Sequence, residues 1–330
     1  MKSNDTWAVG VDLGGTKVEV ARIDAEGRLH QRLRRPTRVE EGPEGIKREI
    51  VDLVRKLEEL AGSPPIAVGI GLAGQIDPRA GRVIFAPNLY WRDVPFQSDL
   101  RQTLGLPVVI ANDVRAAAWG EWLYGAGKGC DDLVCLFVGT GIGGGVISGG
   151  RMLTGCSNTA GELGHMTIDL NGPPCSCGQR GCLEALAGGW AIEKMAREAV
   201  ALDPPAGALL IDLAGRSPNG ITAKTVTEGA RAGDLLSLRL VEQVSQHLIA
   251  GAASIVNAFN PCRLILEGGV IEGLPQLVDQ IDRGVRRRAL PAATKSLEVL
   301  RAKLGNDAGV VGAATLALHI FKNEERPAGL

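Results

Sequence analysis

The sequence predicts an α/β protein of two lobes, and three observations carry that reading. Two strand–glycine turn–strand units recur: Trp7 to Ile23 around Leu13-Gly14-Gly15-Thr16-Lys17, and Leu133 to Ser148 around Gly139-Thr140-Gly141-Ile142-Gly143-Gly144-Gly145. Each carries a threonine in its turn, so the fold reads as internally duplicated. Elsewhere, short apolar runs alternate with stretches of helical periodicity, the pattern of sheets covered by helices. A length of 330 residues also exceeds what one core usually holds.

Composition narrows the class of function. Lys+Arg 36 against Asp+Glu 37 leaves no electrostatic attraction for nucleic acid or a membrane surface, so neither is expected as a partner. No apolar run approaches the ~20 residues that span a bilayer. Seven cysteines are an odd number, and a strand begins by Trp7 with no charged-then-apolar leader, which argues for the cytoplasm over a secreted disulfide framework. The 45 glycines cluster in short loops after strands, where phosphate groups need close backbone approach. Small-molecule chemistry is the expected class.

In chain order, the first apolar run ends at Asp12, and the glycine turn that follows exposes N–H groups, the Thr16 hydroxyl and Lys17 beside a carboxylate that could hold hydrated Mg²⁺. A tight hairpin is the plainer reading. From Gly42, residues Ile46, Ile50, Leu53, Val54, Leu57 and Leu60 recur at helical spacing until Gly62 and Pro64, giving an amphipathic crossover helix. Ala67 to Leu72 reads as a buried strand, with Gly74 in the loop at its end, the place where open α/β sheets present ligands. Residues 79 to 97 read as a hairpin and loop containing Asn88. Pro107 to Ala111 is a further strand, ending in Asn112-Asp113 ahead of an alanine-rich helix to about Tyr124. Asp113 at that helix start is either an N-cap or a general base.

The second glycine turn continues as strand through Val146 and Ile147, whereas a dinucleotide-binding turn must run directly into a helix. Leu183 to Val200 reads as one helix, residues 201 to 222 as a surface loop, and Leu235 to Phe259 as a long helix. Pro261 and the strand Arg263 to Leu266 follow. Gly268-Gly269 is then a bend, or a backbone that lets a flat purine ring approach closely. Arg286-Arg287-Arg288 lies on an amphipathic helix from Leu274 to Leu290 and reads as a solvated face. Val310 to Phe321 is the last helix, expected to pack back on the first lobe.

Between Glu162 and Glu184 the chain concentrates its chemistry. His165, Cys175, Cys177 and Cys182 supply the four ligands of a tetrahedral structural zinc, with no position left open for water. Buried thiols and an ordinary histidine would be the plain alternative, but three cysteines within eight positions after a histidine, flanked by Gly and Pro, favour the metal. A nucleic-acid zinc knuckle fits poorly, since the segment has only Arg180 as a base and no aromatic residue to stack on nucleotides.

Asp12-x-Gly-Gly-Thr, Asn112-Asp113, Gly139-Thr140-Gly-x-Gly-Gly-Gly, Glu162-x-x-His165 and Cys175-x-Cys-Gly-x-x-Gly-Cys182-x-Glu184 occur in this order, and on them the chain resembles the ROK family of sugar kinases and repressors. The resemblance covers nearly the whole length. It implies an actin-like (ribonuclease H-like) ATPase fold, with ATP and Mg²⁺ beside the structural Zn²⁺. Asp113 then looks like the catalytic base, and Asn112, Glu162, His165 and Glu184 like sugar-hydroxyl ligands, joined by Gly74 and Asn88. Asp12, Gly14, Gly15, Thr16 and Lys17, with Gly139, Thr140, Gly141 and Gly143, look like ATP phosphate loops, and Gly268-Gly269 is expected near adenine on the ground of backbone access.

The implied lobes are residues 1–111 with about 305–330, and 112–304. The implied activity is transfer of the γ-phosphate to a hexose 6-hydroxyl, most simply glucose, with N-acetylglucosamine or N-acetylmannosamine as rival acceptors and a homodimer or tetramer as the expected assembly. One departure concerns the acceptor: many family glucokinases have an extra glycine where this chain has Asn158, which tolerates positive φ but could change how the sugar's 2-position is read. The family's repressors need a DNA-binding module ahead of the body, and only six residues precede Trp7, so a sugar-sensing regulator is the distant alternative. Replacing Gly141 by valine is expected to disturb the nucleotide while sparing the sugar.

Overall fold

A computed structural model describes residues 6–324. They fall into two compact units, one comprising the described residues of Met1–Gly129, Met152–Ala160 and Lys303–Leu330, the other Cys130–Arg151 and Gly161–Ala302.

The first unit starts with the antiparallel hairpin β1 (Trp7–Leu13) and β2 (Lys17–Asp24), whose register runs from Trp7↔Asp24 to Leu13↔Val18. β3 (Leu29–Pro36) extends it antiparallel. After the helix Gly42–Ala61, β4 (Val68–Leu72) returns parallel to β1. β5 (Gln75–Asp77), β6 (Arg82–Ala86) and β7 (Trp91–Val94) form a separate small antiparallel sheet with Asn88 in the turn Pro87–Leu89. The helix Phe96–Leu104 then leads into β8 (Val108–Asn112), parallel to β4. The sheet order is β3-β2-β1-β4-β8. The expected crossover helix lays Ile46, Ile50, Leu53 and Leu57 on one face of this sheet, against Val9, Val11, Ile70 and Leu72.

The other face is covered by the helix Ala308–Glu324, whose Val310, Val311, Ala314 and Leu318 meet Ala8, Ala21 and Ile23. It is the expected final helix, two residues longer at its start. Its approach is close because the strands present Gly10 and Gly69 to it: a Cβ on either would overlap the carbonyl oxygens of Val310 and Ala313. Gly312 fits against the helix Asp113–Tyr124 in the same way.

The fully buried Glu121 of the helix Asp113–Tyr124 joins these elements, its carboxylate accepting N–H groups from Ala126, Lys303 and Leu304. Glu121→Gln leaves one accepting oxygen and sets an amide NH₂ against N–H donors, so it is expected to destabilise the protein by about 1–3 kcal/mol. A urea-unfolding midpoint equal to wild type would show that these bonds contribute nothing.

The second unit repeats the plan. β9 (Leu133–Val138) and β10 (Ile142–Ser148) form the hairpin, β11 (Arg151–Met152) extends it, and β12 (Arg263–Glu267) and β13 (Glu298–Arg301) add in parallel, giving the order β11-β10-β9-β12-β13. The duplication read from the glycine turns thus extends to whole sheets. Val134, Leu136, Val146, Leu264 and Leu266 form the core with Leu240, Val244, Leu248 and Ile255 of the helix Leu235–Phe259.

Several elements differ from expectation. The stretch 201–222 contains a helix, Ala208–Leu213, anchored by one fully buried residue, Leu210, too short to show a period. The expected helix Leu183 to Val200 is two, Leu183–Ala187 and Gly189–Leu202, broken where Gly188 adopts extended backbone. The arginine-rich helix is shorter, Leu277–Arg288, because Leu274 closes the preceding turn Gly269–Gly273. Of its three arginines, Arg286 donates to the carbonyls of Thr294 and Leu297, so it holds the following segment as well as facing water. β3 was not expected: it is a polar edge strand whose Arg32 and Arg34 lie against the buried Glu19 at 2.9 and 2.6 Å. Among the described residues no helix is long and apolar enough to cross a membrane.

Candidate active site

In the first unit the β1–β2 turn is held from inside and outside. Gly14 N donates to Lys17 O at 3.0 Å, Thr37 N to Thr16 O at 3.0 Å, and Thr37 Oγ1 to Gly14 O at 2.8 Å. Thr37 lies beyond β3, and nothing in the sequence pointed to it. A Cβ on Gly15 would come within 2.7 Å of Asn88 O, so the turn lies directly on the Pro87–Leu89 segment. Asp12, one residue before the end of β1, lies next to Gly309 at the start of the closing helix. Burial pushes its carboxyl above the ordinary value, with Lys17 and Arg34 opposing that shift and Glu19 adding to it. A partly buried carboxylate beside a glycine turn suits a divalent cation.

At the end of β8, Asn112 is the N-cap: its Oδ1 accepts from Arg115 N at 3.2 Å, and its Nδ2 donates to Gly74 O at 3.4 Å. Asp113 is the first helical residue. The cap that the sequence left open for Asp113 is therefore made by its neighbour. Gly74, Asn112 and Asp113 come together because β4 and β8 are parallel neighbours and both end here.

In the second unit the β9–β10 turn docks on helix starts. Gly189 N donates to Gly139 O at 2.8 Å and Trp190 N to Thr140 O at 3.0 Å. Gly268, at φ 105°, lies against Val138 at the end of β9, so the sequence-selected Gly139, Thr140, Gly141, Gly268 and Gly269 come together; Gly143 follows on β10. Glu184 is tied down more than the sequence suggested. Its Oε2 accepts from Ile142 N at 2.9 Å, and its Oε1 accepts from Trp190 Nε1 at 3.3 Å and Ser176 Oγ at 3.4 Å. A Cβ on Gly141 would overlap that carboxylate. Oε1 thus accepts twice, and Oε2 keeps a second lone pair for a ligand hydroxyl.

The ligand atoms of His165, Cys175, Cys177 and Cys182 lie within 4.8 Å of one another. Cys177 Sγ and Cys182 Sγ are 3.6 Å apart, and Cys175 Sγ is 3.7 Å from His165 Nδ1. A tetrahedron with zinc–sulfur bonds near 2.3 Å has edges of about 3.8 Å, so the donor set and its spacing fit zinc. The loop is held by Cys175 N to Gln179 O, Gly178 N to Cys175 O, and a bridge between Thr167 and Cys182. Burial pushes the Cys182 thiol up to about 12, and the Gln179 backbone holds the exposed Cys177 below its ordinary value. Glu162 precedes the turn Leu163–His165 and is exposed, as is His165.

A duplicated five-stranded sheet with hairpin turns rich in glycine is the actin-like ATPase fold, the fold of ROK sugar kinases of known structure. The chain belongs to the ROK family, whose family model matches residues 8–320. It is 36% identical to a glucokinase of Streptomyces coelicolor over 312 residues, covering 94% of this chain and 96% of that protein. It is 38% identical to a glucokinase of Thermotoga maritima over 309 residues, 93% of this chain and 96% of that one. Among solved structures, a ROK family glucokinase from Streptomyces griseus in complex with glucose and AMPPNP superposes with a TM-score of 0.82 at 38% identity, covering 95% of this chain and 99% of that chain.

Proposed function

We propose that the chain is an ATP-dependent hexokinase of the glucokinase type, transferring the γ-phosphoryl group of ATP to the 6-hydroxyl of glucose. The observation that carries the reading is the end of β8, where Asn112 caps the helix and Asp113 follows as its first residue, in a chain similar over nearly its whole length to proteins named glucokinase. Asp113 accepts the proton of the 6-hydroxyl as that oxygen bonds to the γ-phosphorus and the bond to the β–γ bridging oxygen breaks, releasing ADP. Asn112, Gly74, Asn88, Glu162, His165 and Glu184 take the sugar's other hydroxyls. With Nδ1 facing the Cys175 sulfur, the second ring nitrogen of His165 is left for a hydroxyl.

Asp12 is the residue for hydrated Mg²⁺, which neutralises charge on the transferring phosphates. Gly14–Lys17 and Gly139–Gly143 present N–H groups to phosphates, and Gly268-Gly269 leaves room for adenine. His165, Cys175, Cys177 and Cys182 hold zinc; with four protein ligands it contributes rigidity. ATP as donor assigns the reaction to the cytoplasm, and a homodimer or tetramer is the assembly proposed.

Coupled ADP release measured with glucose, mannose, fructose, N-acetylglucosamine and N-acetylmannosamine tests this. Glucose is expected to give the highest kcat/KM. A higher value with an N-acetylated hexosamine would replace the acceptor, and sugar binding without ADP release would make the chain a sensor.

Gly141→Val is now expected to affect both substrates, against the sequence expectation, because the new side chain takes the space of the Glu184 carboxylate. The KM values for ATP and for glucose should each rise about 10-fold. An unchanged glucose KM would show that Glu184 does not serve the sugar.

A further inference from the structure

The helix Asp113–Tyr124 carries a cation where helix electrostatics disfavours one. Arg115 stands in its first turn, against the positive end of the helix dipole. It is also only 8% exposed, and arginine is rarely buried without specific partners. Its guanidinium donates from Nη1 to Asn158 Oδ1 and from Nη2 to Ala160 O, both at 2.6 Å. Asn158 sits in the left-handed region at φ 58° and donates from Nδ2 to Ile76 O at 2.9 Å. Both ends of its amide are therefore committed. Ala160 N closes the loop by donating to Thr154 O at 3.1 Å. The three segments so joined are the first turn of the Asp113 helix, the stretch after Gly74, and the loop that reaches Glu162 two residues past Ala160.

We propose that Arg115 and Asn158 form a clamp that positions the sugar-binding segments, holding the 154–160 loop and the Gly74–Ile76 stretch on the first turn of the Asp113 helix before sugar arrives. The proposal rests on the hexokinase reading above. The physical reason is entropic. A loop already ordered adds nothing to the ordering cost of binding, whereas a released loop must be ordered by the sugar itself, which raises the apparent KM. Asp113 keeps its own tether through the Asn112 cap, so the chemical step is touched little. The β1–β2 turn is held by Thr37 and Lys17, so nucleotide affinity is untouched.

The test compares Arg115→Ala, Arg115→Lys, Asn158→Gly and the double variant Arg115→Ala/Asn158→Gly. Arg115→Ala is expected to raise the glucose KM about 10-fold or more, with kcat within about threefold and the ATP KM within about twofold of wild type. Asn158→Gly keeps the left-handed backbone, loses both side-chain hydrogen bonds, and should give a rise of similar size. The double variant should be no worse than Arg115→Ala, because the two residues act as one unit. Arg115→Lys, with one donor head for two acceptors, should recover part of the loss.

Should Arg115→Ala fail to fold, Asn158→Gly carries the test, since Arg115 keeps its bond to Ala160 O. A glucose KM unchanged in Asn158→Gly overturns the clamp, as does a fall in melting temperature and kcat with no shift in KM. Calorimetric titration of glucose on the same proteins separates the clamp from the reaction. A wild-type chain that binds glucose but releases no ADP defeats the kinase reading alone, and an equal Kd in wild type, Arg115→Ala and Asn158→Gly defeats the clamp alone. A wild-type chain that binds no hexose overturns both.

Discussion

Asp113→Asn is expected to lower kcat by about 10²-fold or more while the glucose Kd changes far less. The substitution keeps the size of the side chain and most of its hydrogen bonding and removes the proton acceptor. Stability should hardly move. The capping bond belongs to Asn112, and the placement of the Asp113 charge at a helix start is worth about 0.3–1 kcal/mol. Three measurements on one variant decide the matter: turnover, sugar affinity by calorimetry, and melting temperature. A stable protein that binds glucose and turns over slowly supports the base, and near-wild-type turnover rejects it.

Removing the metal should have the second large effect. Purified protein is expected to carry one zinc per chain, and Cys177→Ala to carry almost none, because three ligands cannot close a structural site. Cys177 is the informative position. It is exposed, so its truncation leaves no cavity, whereas truncating the fully buried Cys182 would mix metal loss with packing loss. The glucose KM should rise about 10-fold or more, and the ATP KM less. The asymmetry follows from how the loop is tied: His165 is itself a ligand, while the β9–β10 turn, touched by Gly164 and reached through Ser176 and Glu184, is also docked on Gly189 and Trp190. Wild-type metal content in Cys177→Ala would remove zinc from the account.

Much of this site was legible because its geometry is local. The quartet spans 165 to 182, and its spacing and residue types alone specify a closed four-ligand centre. The two glycine turns lie within hairpins, where alternation and turn residues determine the pairing, and the helices Gly42–Ala61 and Leu235–Phe259 repeat their apolar faces over several turns. β3 escaped notice because an edge strand faces water and shows no apolar alternation. β13 escaped because it is only four residues long and meets β12 across the helix Leu277–Arg288.

What the sequence determined by itself is the inventory: the glycine turns, the histidine–cysteine quartet, the Asn112-Asp113 pair and the duplicated order of elements, all set by periodicity and short-range spacing. What only the tertiary structure decided is which buried polar groups meet. Arg115 finds Asn158 and Ala160, Glu121 finds Lys303 and Leu304, and Glu184 finds Ile142, across separations of 42 to 183 residues. The same step gave the helix cap to Asn112, with Asp113 the first helical residue. The physical reason is that a strand or helix is specified by its own side chains, whereas a buried donor or acceptor must be satisfied by whatever chain the fold brings back to it.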